Sequence, residues 1–137
     1  MGRTGGGDGD GGGDVPKRVM IVDDDRDLRE MLRTALEHAG YQAQVAANGL
    51  KLVSSLRVDR PDLILLDVMM SWIDGFELCH ALKQNPEFSG IPVFFISARG
   101  SRRDIEKGHE AGCSDYFTKP LNLKVLLERI HSVIGAP

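Results

Sequence analysis

The stretch Val19-Met20-Ile21-Val22-Asp23-Asp24-Asp25 joins four consecutive apolar residues to three consecutive aspartates. An unbroken apolar run of this length is typical of a parallel strand that helices cover on both faces, because neither face then meets water. The aspartates put negative charge at the point where this strand ends. The stretch therefore predicts a buried strand with an acidic end.

The same arrangement continues along the chain, where short apolar runs alternate with helical patterns. The unbroken runs at 63–66 and 93–96 predict further central strands, whereas 41–46 alternates polar with apolar residues and predicts an edge strand. Asp115–Thr118 is a short fifth candidate. Apolar residues at helical spacing predict five helices, at 28–39, 50–56, 76–82, 104–111 and 123–134. Strict alternation with right-handed crossovers predicts a doubly wound α/β sheet.

Length and composition predict one folded domain. The chain has 137 residues, of which 42% are hydrophobic and 27% charged, enough for one packed core and too few for two ordinary ones. Residues 1–14 are rich in glycine and aspartate and contain no apolar residue after Met1, so they predict a flexible tail. The folded domain is expected over 15–137. Composition does not distinguish a native tail from a linker or a cloning remnant.

Several classes of protein are disfavoured by charge and cysteine content. The net charge is −3, so no basic surplus argues for direct contact with nucleic acid or an anionic membrane. Cys79 and Cys113 have no second pair with which to bind zinc, and no secretory signal precedes them. No apolar run approaches the roughly 20 residues needed to cross a bilayer. We expect a soluble protein of the reducing cytoplasm.

Polar side chains follow four of the five predicted strands. Asp23 and Asp24 follow the first strand, Asp67 the third, Ser97 the fourth and Lys119 the fifth. The carboxyl ends of parallel strands lie at one edge of such a sheet, which is where ligands bind. We therefore expect these five side chains to meet at that edge.

The charges of this group call for a cation. At 4 Å, each pair of like charges repels by roughly 4 kcal/mol at an effective dielectric constant near 20. Asp23, Asp24 and Asp67 carry three negative charges, Lys119 supplies one positive charge, and a divalent cation would supply the remaining two. Oxygen ligands without histidine or cysteine favour Mg²⁺, for which Mn²⁺ could substitute, over zinc. A carboxylate beside such a metal, a hydroxyl and a lysine are the groups needed to receive a phosphoryl group.

Five segments together resemble the receiver domain of two-component response regulators. They are VMIVDDDRDLREML (19–32), PDLILLDVMM (61–70) with DGFELC (74–79), FFISA (94–98) and DYFTKPLNLKVLLERI (115–130). The similarity extends from about residue 17 to residue 135. It implies a flavodoxin-like (CheY-like) five-stranded parallel sheet of strand order 2-1-3-4-5, flanked by five helices.

The resemblance assigns chemical roles to the acidic residues. It implies that Asp67 is the phosphoacceptor and that Asp23 and Asp24 bind Mg²⁺ together with it. The backbone carbonyl of Met69, two residues after the acceptor, would be a further metal ligand.

The resemblance also assigns the residues that change position on phosphorylation, called here the switch residues. Ser97 would be the hydroxyl drawn toward the phosphoryl group, and Tyr116 the aromatic residue that moves inward with it. Lys119 would pair with the phosphate, and its bond to Pro120 would be cis. The downstream protein would bind the surface formed by 102–134.

The implied partners are a sensor histidine kinase or phosphotransfer protein, whose phosphohistidine is the donor, and a separate downstream protein. No output domain follows in the sequence, so we expect either a single-domain regulator or a receiver excised from a larger regulator or hybrid kinase. Such a domain is a phosphoacceptor for signalling that promotes only its own phosphorylation and dephosphorylation. Dimerisation on phosphorylation is left open.

Three other functions are compatible with parts of the pattern. A haloacid-dehalogenase-like phosphatase would need a second aspartate where Met69 stands. A flavodoxin-like cofactor binder would need a glycine- or hydroxyl-rich loop where Asp23, Asp24 and Asp25 stand. A degenerate receiver that binds proteins without phosphate would not need the acidic residues, Ser97 and Lys119. Asp25 itself is interpreted as a helix N-cap.

One departure from the family concerns the loop after Asp67. The family usually has proline at the position of Ser71, and here Trp72, the only tryptophan of the chain, follows it. We expect Trp72 to flank the site.

Overall fold

The computed structural model describes residues 15–137 and contains five strands and five helices in alternation. The predicted tail at 1–14 lies outside the described residues. The elements are β1 Arg18–Val22, α1 Arg26–His38, β2 Gln42–Ala46, α2 Gly49–Leu56, β3 Leu63–Asp67, α3 Gly75–Gln84, β4 Val93–Ser97, α4 Arg102–Glu110, β5 Asp115–Thr118 and α5 Leu123–Ile134. No helix among these residues is long and apolar enough to span a membrane.

The strands form one parallel sheet in the order β2-β1-β3-β4-β5. The doubly wound sheet and the strand order implied by the resemblance are both confirmed. The alternating strand β2 lies at an edge, and every residue of β3 and β4 is buried. Asp67 and Ser97 are the last residues of their strands rather than the first residues beyond them, because Asp67 still pairs with Ile96 and Ser97 with Thr118.

The sheet divides the apolar core into two clusters because successive side chains of a strand point to opposite faces. Val19 and Ile21 of β1 pack on one face with buried residues of α1 and α5. Met20 and Val22 pack on the other face with buried residues of α2 and α3. This double covering explains why the central strands are continuous apolar runs.

Helix α4 is packed least deeply. Gly108 is its only buried residue, whereas each of the other helices buries two or more residues. A Cβ atom on Gly108 would lie 2.8 Å from Cδ2 of Tyr116, so the absence of a side chain lets the tyrosine ring lie against the helix.

Side-chain caps fix where the helices begin. Asp25 caps α1 by accepting hydrogen bonds from the amides of Asp27 and Leu28, which confirms its interpretation as a cap. Ser101 caps α4 and accepts from the amide of Asp104, whose carboxylate accepts from the Ser101 hydroxyl in return. Asp23 and Asp24, which precede the first cap, are therefore left for the sheet edge.

Candidate functional site

Three carboxylates meet at the carboxyl edge of the sheet. Asp23 and Asp24 follow β1, Asp67 ends β3, and one oxygen of each lies within 4.8 Å of the others. Asp23 and Asp67 are buried, whereas Asp24 is exposed. The predicted grouping of the three residues is therefore present, with one carboxylate open to solvent.

Lys119 lies between the two buried carboxylates. Its Nζ atom is 2.8 Å from Oδ2 of Asp23 and 3.5 Å from Oδ2 of Asp67. Burial lowers the pKa of Lys119, but the hydrogen bond to Asp23 and the negative charges of Asp23 and Asp67 outweigh it and raise that pKa above its usual value. The Lys119–Pro120 bond is cis, as the resemblance implies.

The carboxyl group of Asp67 is held in an unfavourable environment for its charge. Burial and then the charge of Asp23 raise its pKa to about 6, although Lys119 and the amide of Met69 act in the opposite direction. The Met69 amide donates to Oδ1 of Asp67 at 3.2 Å. At neutral pH this carboxyl group is ionised, and an additional cation would lower the free energy of that state.

Asp23 is held in place by the loop that follows β1. Its Oδ1 atom accepts from the amide of Asp25 at 2.8 Å while Oδ2 accepts from Lys119. Arg29 of α1 donates to the backbone carbonyl of Asp23 at 2.7 Å. These contacts fix the carboxylate at the base of the group.

The donor set suits a hard divalent cation. Asp23, Asp24 and Asp67 offer carboxylate oxygens only, and no histidine or cysteine belongs to this group. Mg²⁺ and Mn²⁺ take oxygen ligands of this kind, whereas zinc sites are usually rich in imidazole or thiolate. The exposure of Asp24 leaves an approach for the ion from solvent.

Ser97 and Tyr116 both contact the backbone of Arg99. The buried Ser97 hydroxyl accepts a hydrogen bond from the Arg99 amide at 3.1 Å. The Tyr116 hydroxyl donates to the Arg99 carbonyl, and its ring centroid lies 5.8 Å from that of Phe95. The two predicted switch residues are therefore linked through one residue of the loop between β4 and α4.

An open cavity of about 470 Å³ lies along the loop that follows Asp67. It is lined by Val68, Met69, Met70, Trp72, Ile73, Asp74 and Arg99. Trp72 is 84% exposed and has a φ angle of 89°, in the left-handed region. Trp72 therefore shares this cavity with Met69 and Arg99, and its place beside the acidic site stays a prediction.

The side chain of Arg99 contacts two helices beside the site. Its guanidinium is 2.8 Å from Asp104 of α4 and lies 5.8 Å from the ring centroid of Phe76 on α3. Its position two residues after Ser97, at the same edge of the sheet, indicates from sequence alone that it could pair with phosphoryl oxygens. The contacts with α3 and α4 connect elements distant in sequence and could not be deduced from spacing.

Comparison with known families matches residues 19–131 to the family described as response regulator receiver domain. The chain belongs to this family. The match spans every strand except the first residue of β1, and all of the site residues described above.

Known relatives agree with this assignment of a receiver domain. The response regulator MprA of Mycolicibacterium vanbaalenii is 38% identical over 120 residues, which cover 88% of this chain and 51% of that protein. The chain thus spans about half the length of the curated relatives it matches.

Two solved structures are also similar. The receiver domain of a signal transduction histidine kinase from Syntrophus aciditrophicus is 35% identical, has a TM-score of 0.81, and covers 87% of this chain and 90% of its own. The receiver domain of a DNA-binding response regulator from Colwellia psychrerythraea 34H is 28% identical, has a TM-score of 0.82, and covers 86% and 98%. This chain is therefore a receiver domain of the two-component family, which is distinct from the phosphatase and cofactor-binding families considered above.

Proposed function

We propose that this receiver domain accepts a phosphoryl group on Asp67 from the phosphohistidine of a sensor histidine kinase or a phosphotransfer protein. The observation that carries the proposal is the position of the Asp67 carboxylate. It is 4% exposed, lies 3.5 Å from the Lys119 ammonium, and shares its edge of the sheet with two further carboxylates.

The transfer forms one bond and breaks one. An oxygen of ionised Asp67 attacks phosphorus and forms an acyl phosphate. The P–N bond of the donor breaks with its electron pair returning to the imidazole, which takes a proton from solvent when needed to become neutral. Because the pKa of Asp67 is about 6, its nucleophilic form is available at neutral pH.

Residues around Asp67 stabilise the transferred charge. Lys119 donates to a phosphoryl oxygen, and the Ser97 hydroxyl donates to another. Mg²⁺ or Mn²⁺ would be held by Asp23, Asp24 and Asp67 with the backbone carbonyl of Met69. The bound ion supplies positive charge that offsets the carboxylates and the phosphoryl oxygens.

Phosphorylation then changes a protein-binding surface. Ser97 and Tyr116 gain or exchange contacts only in the phosphorylated state, so the equilibrium shifts toward the conformation that makes them. The responding surface comprises 102–134 and binds a downstream protein. A second copy of the domain is an alternative partner in the phosphorylated state. The domain acts as a phosphoacceptor and promotes only its own phosphorylation and dephosphorylation.

The proposal extends to the bounds of the domain, its compartment and the protein of which it is part. We assign the domain to residues 15–137 and leave 1–14 outside it. The domain acts in the cytoplasm, alone or as part of a larger regulator or hybrid kinase, and makes no direct contact with nucleic acid or membrane. The similar receiver domains of a histidine kinase and of a DNA-binding regulator are consistent with either of the larger settings.

Intact mass measurement tests this function directly. The protein is incubated with acetyl phosphate and Mg²⁺, and we expect the wild type to gain one phosphoryl group. Asp67→Asn should gain none, whereas Asp59→Asn, a control in the surface pair with Arg18, should match the wild type. Omission of the metal should also prevent the gain. An unmodified wild type would instead favour a degenerate receiver that binds proteins without phosphate.

A further inference from the structure

Arg99 connects the acceptor site to α4. Its backbone binds Ser97 and Tyr116, and its guanidinium pairs with Asp104 at 2.8 Å while lying over the ring of Phe76. Arg99 also lines the cavity bordered by Val68 and Met69, the two residues that follow Asp67. A change of partner at this guanidinium would therefore act on both the site and the helix.

Phosphorylation changes the balance of charges at the site. Before transfer, the three carboxylates are balanced by Lys119 and a divalent cation. An acyl phosphate replaces the single charge of the Asp67 carboxylate with about two negative charges. The site is then left with about one negative charge that Lys119 and the ion do not balance.

Arg99 is the cationic side chain that can balance this remaining negative charge. It is the only lysine or arginine among the described residues that line the cavity. Its side chain is 38% exposed, so water screens its pair with Asp104 and the pair contributes little to stability. An arginine can bind two phosphoryl oxygens at once, which makes such a contact stronger than a partly exposed carboxylate pair.

Asp104 can lose Arg99 without becoming unpaired. Its carboxylate also accepts a hydrogen bond from the Ser101 hydroxyl at 2.7 Å, within the cap of α4. The exchange would therefore leave the cap intact. It would remove the ion pair that joins Asp104, in the first turn of α4, to Arg99 in the preceding loop.

We propose that Arg99 transfers from Asp104 to the phosphoryl group on Asp67 and that this exchange releases the first turn of α4. Departure of the guanidinium also ends its contact with Phe76. Because Gly108 is the only buried residue of α4, few other contacts oppose movement of the helix. The inference rests on the proposed function and specifies how the phosphorylated site reaches the protein-binding surface.

Beryllofluoride with Mg²⁺ provides a stable mimic of the phosphoryl group for the test. Amide chemical shifts are recorded by NMR with and without the mimic, and its affinity is measured by titration. In the wild type we expect shifts at the site and in the first turn of α4, at 102–105. In Arg99→Gln, the shifts in α4 should be lost and the affinity should fall roughly tenfold, because the additional phosphoryl contact is absent.

Asp104→Asn separates this exchange from a structural role. Removing the competing charge should tighten binding of the mimic roughly twofold to tenfold and move the amides at 102–105 toward their bound positions before the mimic is added. A merely structural role of the pair predicts no tighter binding.

Arg57→Gln is the matched control. Arg57 also pairs with a carboxylate, Glu87 at 3.2 Å, and lies 6.0 Å from an aromatic centroid, that of Phe88. It does not line the cavity along the loop that follows Asp67. We expect this variant to behave as the wild type.

The outcomes distinguish the two proposals. Wild-type protein that gains a phosphoryl group in the mass assay, together with unchanged α4 shifts in Arg99→Gln, would overturn the exchange and leave the acceptor function in place. Weaker or unchanged binding of the mimic in Asp104→Asn would also overturn it. Failure of the wild type to be phosphorylated would remove the acceptor function and the exchange together.

Discussion

At the scale of single residues, Asp67 combines reactivity with a cost to folding. Its pKa in the folded protein is about 6, against an ordinary value of 3.8, so the folded state binds the proton more tightly than the unfolded chain. The protonated group therefore favours folding below pH 3.8, and this contribution is lost as the pH rises through 6. The ionised Asp67 carboxylate is thus unfavourable for folding when neither a metal ion nor a phosphoryl group is bound beside it.

Replacing this carboxyl group should stabilise the metal-free protein. In Asp67→Asn we expect the free energy of unfolding to rise by about 2 kcal/mol at pH 7.5, because a charge that burial disfavours has been removed. The gain should shrink as the pH is lowered toward 4, where Asp67 is protonated in the wild type. Urea unfolding in EDTA measures both values, with Asp59→Asn as the control. A gain that is equal at the two pH values would contradict this explanation.

At the scale of elements, the start of α3 is fitted closely against the end of β3. The Gly75 amide donates to the Val68 carbonyl at 2.8 Å. A Cβ atom on Gly75 would overlap the Asp67 carbonyl oxygen and lie 2.7 Å from Cα of Val68. Only a residue without a side chain lets the helix begin this near the acceptor.

Gly75→Ala should therefore displace α3 or the end of β3. We expect the free energy of unfolding to fall by about 1–3 kcal/mol and phosphorylation by acetyl phosphate to slow, because the added methyl group has no space. Gly90→Ala is the control, since its Cβ atom would meet only a side-chain nitrogen of Arg60 at 3.8 Å. Urea unfolding and the mass assay check the two effects. Wild-type stability in Gly75→Ala would show that the junction can relax.

Most elements could be predicted from local patterns. The apolar runs ending at Asp67 and Ser97 identified β3 and β4 to within one residue at their ends, because burial on both faces leaves a continuous signal. Asp25 was identified as a cap since its position before α1 suits a short carboxylate. The order of the strands came from the family resemblance, because helical connections alone allow several orders.

The parts that could not be predicted depend on contacts between distant segments. The left-handed φ angle of Trp72 arises in a loop without glycine at that position, so no local preference indicates it. The pair between Arg99 and Asp104 and the exclusion of a side chain at Gly75 depend on how α3 and α4 lie against the sheet. Sequence patterns identified the acidic group, whereas the connection from that group to α4 required the structure.

At the scale of the whole molecule, metal binding should be coupled to folding. The three carboxylates are brought together by the ends of β1 and β3 and have no comparable arrangement in an unfolded chain. A cation that binds only the folded state stabilises it according to its concentration relative to the dissociation constant. The stability of the protein therefore reports on the site.

Mg²⁺ should raise the free energy of unfolding of the wild type by about 1.4 kcal/mol at ten times its dissociation constant. Asp24→Asn should lose most of this increase, because one carboxylate ligand of the ion is removed. Asp24 is exposed, so the change leaves the buried pairs of Lys119 with Asp23 and Asp67 intact. Thermal unfolding in Mg²⁺ and in EDTA measures the difference, and Asp59→Asn should respond as the wild type. Equal stability of the wild type in both solutions would exclude a cation site at these carboxylates.

The shallow attachment of α4 has a mechanical consequence. All residues of β3 and β4 are buried, whereas α4 buries a single glycine, so we expect α4 to move more easily than the central strands. A change of contacts at the edge of the sheet should therefore tilt α4 more readily than it bends the strands. Helix α4 can therefore change its position while the strands that carry Asp67 and Ser97 keep theirs.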